Sequence, residues 1–286
     1  MGCTFDRVPA SGVWRGRGGA QLQMALKKTL AALFLCFVLL GPDAPSADPV
    51  AVRQMEGLVH GFLALRSQDD TLLANGDLVQ LARGDRVTAR LTFRFKDGSI
   101  HDETAVFSQR GQFRLITDHL VQKGKTFERP LDMRIDRPSG QVTVLYRNDA
   151  GEEKTESEHL DLPVDLANGM IITLLKNVRR DALPTSVSLV AATPKPRLVR
   201  LKIEAAGAEP FWVAGSPRRA THYLIKVDIG GLAGVMAPLL GKQPPDSHVW
   251  ILEGEAPAFV KSDAPLYLGG AAWRTELVSP VWSRPR

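Results

Sequence analysis

The chain has only two cysteines, and both lie near its N-terminus, at Cys3 and Cys36. Residues 48–286 therefore contain no thiol, which excludes disulfide bonds, thiol catalysis and cysteine-ligated metal sites from that part of the chain. The six histidines are scattered, and none has the spacing of a metal-binding motif. We therefore expect neither a metal nor another cofactor.

An excess of positive charge is also missing once the first 47 residues are set aside. The full chain carries 36 Lys and Arg against 31 Asp and Glu, but five of these bases and only two of the acids precede residue 48. The remaining charges are mixed in sign and form no basic cluster, which a nucleic-acid-binding surface requires. We therefore expect no nucleic-acid partner.

The uncharged apolar run at residues 29–40 is too short to span a bilayer, which takes about 20 residues. It follows Lys27 and Lys28, and a Gly-Pro pair and several small residues come after it. This order of charge, apolar run, breaker and small residues is typical of a secretory signal peptide. We expect translation to start at Met24, and cleavage to follow Ser46 or Ala47.

Residues 1–47 are therefore interpreted as an N-terminal extension plus a signal peptide. Cys36 lies inside the apolar run and follows a leucine, so it does not resemble a lipid-attachment site. We expect a periplasmic or secreted protein that is not a lipoprotein and has no transmembrane helix after cleavage. Residues 48–286 are predicted to form a single β-rich domain, or two halves joined near residues 193–197.

Apolar and polar residues alternate along most of this domain. From residue 87 to 96 every second side chain is apolar, as in a strand with one buried face, and the run ends at an Asp-Gly turn signal. Similar runs separated by turn signals follow every 8–12 residues or so, which is the pattern of an antiparallel sandwich or barrel. Asn75-Gly76 indicates a bulge or tight bend within one of these strands.

The alternation stops near residue 163 and a helical pattern replaces it. Apolar residues recur at helical spacing up to Val178, and Asp165 is suited to cap the start of a helix. The predicted fold is therefore mainly β: an antiparallel curved sheet, open barrel or sandwich, with one main helix over residues 165–178 packed on it.

Residues 230–241 form a second uncharged apolar segment, which is either a buried plug or a lid that contacts lipid or another apolar ligand. Tryptophans are concentrated in the C-terminal half, where they either fill the core or line a ligand cavity. The candidate ligand-binding residues are Trp212, Trp250, Trp273, Leu232, Val235 and Met236.

Candidates for acid–base chemistry are few. His101 and Glu103 share one face of a predicted strand, while Asp102 points to the other face. His248 lies two residues after Asp246. Each pair is equally consistent with a solvated polar face, and no nucleophile or phosphate-binding motif accompanies them. We therefore assign no catalytic residue.

Four stretches resemble a family of uncharacterised exported bacterial proteins. They are residues 158–170 (EHLDLPVDLANGM), 248–261 (HVWILEGEAPAFVK), 265–270 (PLYLGG) and Trp273-Arg274. The resemblance covers about residues 54–282 and implies a signal peptide and a β-rich domain of unknown function, without catalytic residues. The predicted architecture is also similar to that of periplasmic lipoprotein carriers, in which a curved sheet wraps a helix around an apolar cavity.

Three functions remain open at this point. The first is an envelope protein without enzymatic activity that binds a lipid, another apolar or amphipathic ligand, or an envelope protein partner. The second is an exported hydrolase that uses a His–carboxylate pair. The third is a structural scaffold of the envelope.

The export prediction can be tested by processing. When the full-length chain is expressed in a bacterium that cleaves signal peptides, we expect the recovered protein to begin at Ala47 or Asp48, as read by N-terminal sequencing. Recovery of a chain that retains residues 24–46 would contradict it.

Overall fold

The structure of the protein is a computed structural model that describes residues 49–213, 215–228 and 244–279. The predicted signal segment lies outside the described residues. Three of the ligand-binding candidates also lie outside them, namely Leu232, Val235 and Met236.

The described chain forms one 14-stranded sheet and one α-helix, α1 (Ile171–Asn177). A short 3-10 helix (Arg180–Ala182) follows α1. The strands are β1 (Val59–Arg66), β2 (Leu72–Arg83), β3 (Arg86–Phe95), β4 (Ile100–Arg110), β5 (Gln112–Lys123), β6 (Leu131–Asp136), β7 (Gln141–Arg147), β8 (Glu153–His159), β9 (Thr185–Ala191), β10 (Arg197–Val213), β11 (Ser216–Asp228), β12 (Ser247–Leu252), β13 (Ala258–Pro265) and β14 (Ala272–Leu277).

All neighbouring strands pair antiparallel. The strand order is β8-β7-β6-β5-β4-β3-β2-β1-β14-β13-β12-β11-β10-β9, so two meanders meet where β1 pairs with β14. Strands β9 and β10 are neighbours in this sheet, so residues 192–196 connect adjacent strands of one meander. The predicted antiparallel sheet with one main helix is confirmed.

The hydrophobic core lies on one face of the sheet and draws on both meanders. Phe93 and Phe107 from the first meander are fully buried in the same cluster as Ile203 from the second, together with Leu174 and Leu175 of α1. Burying a large apolar side chain contributes about 1.5–3 kcal/mol. One cluster can join strands from such distant parts of the order only if the sheet curves around α1.

The helix is shorter than the sequence pattern predicts. It begins at Ile171, and Asp165 does not cap it, because the Asp165 carboxylate accepts a hydrogen bond from the Ser188 hydroxyl of β9 at 2.9 Å. The backbone just before the helix is held by β9 as well, since the Ala167 N–H donates to the Ser188 carbonyl at 2.9 Å. Gly169 then adopts a positive φ of 64°, which interrupts helical geometry.

The segment between β8 and β9 contacts both meanders. At its start, the Leu160 N–H donates to the Gly140 carbonyl, in the turn before β7, at 2.9 Å. Further on, Asn168 bonds the backbone of Val190 in β9 through both its amide oxygen and its amide nitrogen, at 2.9 and 3.0 Å. The segment therefore continues from β8, at one free edge of the sheet, and is hydrogen-bonded to β9, at the other free edge.

Gly76 does not form the predicted bulge or bend. Strand β2 pairs in regular register with β3 at this position, and the register shift between β1 and β2 falls between Leu65 and Arg66. The glycine instead makes room for Phe93, since a Cβ at Gly76 would lie 2.5 Å from the Phe93 ring.

Replacing this glycine tests that contact. We expect Gly76→Ala to lower the free energy of unfolding by about 1–3 kcal/mol, because Phe93 must leave its packed position. The matched control is Gly57→Ala, where no atom lies within 4 Å of the added methyl group, and its effect should stay within about 0.5 kcal/mol. Urea unfolding of the three proteins measures both values, and equal effects would refute the proposed contact.

Candidate functional site

A cavity of about 590 Å³ lies between α1 and the concave face of the sheet. Its size falls within the range of small-molecule sites, roughly 300–1,000 Å³. The wall is mostly apolar and comes from both meanders and from the helix. Its apolar members include Leu78, Leu91, Leu120, Met133, Ile171, Ile172, Val190, Leu201, Ile225, Val249, Phe259 and Leu266.

The cavity is open beside the junction of the two meanders. Val59 of β1 and Leu277 of β14 line the cavity, and they keep 38% and 44% of their surface accessible. Gly61 lies next to them, and a Cβ there would be 3.0 Å from the Leu277 side chain. The rim at this point is therefore apolar.

His101 of β4 is one of the few polar groups in the wall, and it is 3% exposed. The Gln122 side-chain nitrogen donates to the Leu266 carbonyl at 3.0 Å and lies 3.2 Å from His101 Nδ1. Because a carbonyl only accepts, this contact fixes the amide orientation and makes Nδ1 the acceptor, so the ring proton is on Nε2. That Nε2–H has no hydrogen-bond partner among the described residues.

Burial lowers the pKa of His101 to about 4. The imidazole is therefore neutral at physiological pH. It therefore adds no positive charge to the cavity wall.

Two carboxyl groups lie close together on the same face as His101. Glu103 of β4 lines the cavity, and Asp118 of β5 is its diagonal neighbour, since Ala105 is directly opposite Asp118. Gly169 approaches both, because a Cβ there would lie 2.9 Å from Asp118 Oδ1 and 3.6 Å from Glu103 Cδ. Both Asp118 oxygens are buried and have no hydrogen-bond partner within the described ranges.

The environment makes this acid pair difficult to ionise. Burial raises the pKa of Glu103 to about 7. Burial and the adjacent Glu103 carboxyl raise the pKa of Asp118 well above its ordinary value. Two carboxyl groups this close do not both ionise near neutral pH, so the pair carries no more than one negative charge there.

A second charged group in the wall already has its partner. Lys176 of α1 lines the cavity, and its Nζ lies 2.5 Å from Glu56 Oε1. The other Glu56 oxygen accepts a hydrogen bond from Gln80 Nε2 at 2.6 Å. The charge of Lys176 is therefore balanced inside the protein.

The predicted face assignment of β4 agrees with the structure. His101 and Glu103 both line the cavity, whereas Asp102 bonds Arg90 at 2.7 Å and Thr92 at 3.0 Å on the opposite face. The structure does not bring His101 within hydrogen-bond distance of a carboxylate. Among the described residues, the side-chain hydrogen-bond partner of its ring is Gln122.

His248 and Asp246 are placed away from the cavity wall. His248 Nδ1 lies 2.8 Å from His222 Nε2, and Asp246 forms no hydrogen bond with it within the described part of the chain. Trp250 stacks on His222 with ring centroids 4.3 Å apart, and Lys261 lies over the Trp250 ring at 4.0 Å. This group occupies the convex face, because Val249, which lies between His248 and Trp250 on β12, belongs to the core on the other face.

The three tryptophans proposed as ligand contacts are not brought together. Trp212 lies near the end of β10 with 73% of its surface exposed, and Trp250 is buried on the convex face. Trp273 packs against Phe95 and Tyr267, with ring centroids 5.7 and 5.8 Å apart. None of the three lines the cavity.

Asp118 is the group that sequence reasoning did not select. It stands beside His119, which lies on the convex face and contacts Asp132 at 2.9 Å. The pairing of β5 with β4 shifts its register between Val106 and Phe107 of β4. On β5, Phe113 and Leu115 are buried before this shift, and Asp118 and Leu120 are buried after it. The sequence carries no clear signal for this change of face.

The described residues contain no group of three or more potential metal ligands placed to hold a metal ion. None of the helices in the described ranges combines the length and the hydropathy needed to cross a membrane.

Comparison with known proteins gives no family. No family model matches the chain, and no curated protein matches it. A solved structure that the chain matches is the β-barrel-like protein of domain of unknown function DUF1849 from Brucella abortus. It has a TM-score of 0.44 and 11% identity, and the match covers 80% of this chain and all of that one.

The acid pair predicts an unusual dependence of stability on pH. Because the pKa of Glu103 is raised from 4.5 to about 7, the native state binds this proton more tightly than the unfolded state, and stability falls as pH rises through this interval. His101 acts in the opposite sense, since its lowered pKa costs stability as pH falls from 6.5 towards 4.

Glu103→Gln should remove the pH dependence of stability that comes from Glu103 and leave the one that comes from His101. We expect the variant to be more stable than the parent at pH 8 by on the order of 1–2 kcal/mol, and the difference to vanish near pH 4.5. Urea unfolding at the two pH values measures this, with the exposed Glu255→Gln as the control. A Glu103→Gln protein destabilised equally at both pH values would contradict the pKa assignment.

Proposed function

We propose that the protein is an exported binding protein that holds an apolar or amphipathic ligand in the cavity between α1 and the sheet. The observation that carries the proposal is the cavity itself, with its volume of about 590 Å³ and its mostly apolar wall. The export part of the proposal is supported by the signal-like segment that precedes the domain.

The energetics of the cavity support a ligand. Because the cavity is open at its rim, its apolar wall faces water when no ligand is bound. An apolar molecule that fills this space gains contacts with this wall and removes its own apolar surface from water.

The geometry of the wall also favours binding over a filled core. Ala89 of β3 and Ala264 of β13 line the cavity, so small side chains face it from both meanders. The few polar wall groups, among them His101 and Glu103, supply the small number of oriented contacts that ligand sites combine with apolar surface.

Filling the cavity by substitution tests this function. We expect the parent protein to bind the apolar dye N-phenyl-1-naphthylamine, and Ala89→Trp to reduce that binding at least about fivefold, because the indole occupies the ligand volume. The matched control is Leu145→Trp, at an exposed position outside the cavity, which should bind like the parent. Dye fluorescence gives the affinities.

Ala264→Trp provides a second variant from the opposite wall, should circular dichroism show that Ala89→Trp does not fold.

Native mass spectrometry and organic extraction of the purified parent protein add a test without a dye. The proposal fails if the parent neither binds the dye nor carries an extractable lipid, or if a folded cavity variant binds the dye as the parent does.

A further inference from the structure

The acid pair in the cavity wall is the feature that the apolar character of the cavity does not explain. Glu103 reaches the cavity surface, and Asp118 is 1% exposed beneath Gly169. Neither carboxyl forms an ion pair or a hydrogen bond with another side chain among the described residues. Buried polar groups are nearly always hydrogen-bonded, and an unpaired one costs about 1–3 kcal/mol or more.

His101 is a second polar group of the wall that the surrounding protein leaves unsatisfied. It precedes Glu103 by two residues on β4, so both side chains point into the cavity from one strand. Its Nε2–H is buried and lacks an acceptor in the described part of the chain. The wall thus contains, side by side, a donor and a carboxyl pair that the surrounding protein leaves unsatisfied.

The charges of the wall do not cancel. Among the residues that the structure describes, the charged side chains that line the cavity are Glu103 and Lys176. Lys176 is neutralised by Glu56 at 2.5 Å. What remains among the described residues is the negative charge of the acid pair, beside a mostly apolar wall that strengthens its interaction with an opposite charge.

Of the two acids, Glu103 is the one that faces a ligand as a carboxylate. Asp118 lies behind Gly169, and its pKa is raised by both burial and the neighbouring Glu103 charge, so it retains its proton. A protonated Asp118 also donates a hydrogen bond more readily than it accepts a cation.

We propose that the cavity takes a long-chain amphiphile whose inner end is a protonated amine, with Glu103 as the carboxylate that receives it and Asp118 as the protonated acid behind it. This inference rests on the proposed binding function of the cavity. An ammonium group brings one positive charge and several N–H donors, which match the one negative charge and the free carboxylate oxygens. An anionic amphiphile is repelled by Glu103, and a neutral alcohol leaves its charge unbalanced.

The experiment compares amphiphiles that differ only in their head group. Dodecylamine, dodecanol and dodecanoate are titrated into the purified protein at pH 7.5, below their limits of solubility and micelle formation, by displacement of N-phenyl-1-naphthylamine. We expect dodecylamine to bind at least about tenfold more tightly than the other two, which corresponds to one charge-assisted contact.

Two isosteric variants then separate the roles of the acids. Glu103→Gln should weaken dodecylamine binding about tenfold or more and leave dodecanol within about threefold, because only the amine loses its counter-charge. Asp118→Asn keeps a neutral group in place and should change dodecylamine binding less than about threefold. Glu255→Gln, in an exposed loop, serves as the control for attraction of amines to the protein surface.

The outcomes distinguish this inference from the function on which it rests. Equal binding of the three amphiphiles, or an amine preference that survives Glu103→Gln, overturns the amine assignment and leaves the binding cavity standing. No binding of any of the three by the parent protein overturns both. An amine preference lost equally in Glu255→Gln also overturns the assignment, since the surface charge would then account for it.

Discussion

The pairing of β1 with β14 is the contact on which the rest of the structure depends. It joins strands more than 200 residues apart, with Leu63 opposite Leu277, and it is supported by an ion pair between Arg66 and Glu276 at 2.8 Å. Without this pairing the two meanders would be separate sheets, each with an exposed edge and a single apolar face. With it, one curved sheet encloses a common core, and side chains from both meanders face the same cavity.

The segment that carries α1 completes this enclosure and also determines the polarity inside it. It continues from β8 at one free edge of the sheet, and its hydrogen bonds to Val190 hold it on β9 at the other free edge. Gly169 is thereby brought against the Glu103–Asp118 pair, where any larger residue would collide with Ala105. The same contacts that close the cavity thus bury the acids and remove them from water. Burial in turn raises their pKa values, so the fold and the chemistry of the site have a common physical origin.

Much of the fold was predictable, because strand alternation and turn signals are local properties. The strands of the first meander follow the predicted runs closely, and His101 and Glu103 share a face as expected. The errors occur where distant contacts override the local pattern. Hydrogen bonds to β9 hold residues that have helical spacing, so α1 begins at Ile171.

The sequence by itself determined a mainly β, cysteine-free and nearly neutral domain, together with the face on which each residue of a regular strand lies, because period-two patterning and composition need no knowledge of distant partners. Only the tertiary structure decided that Asp118 joins Glu103, since a register shift in β5 reverses which side chains point inward. It also decided that Trp212, Trp250 and Trp273 lie apart and outside the cavity. Burial, pairing and pKa values arise from contacts between strands far apart in the chain, and no local pattern encodes them.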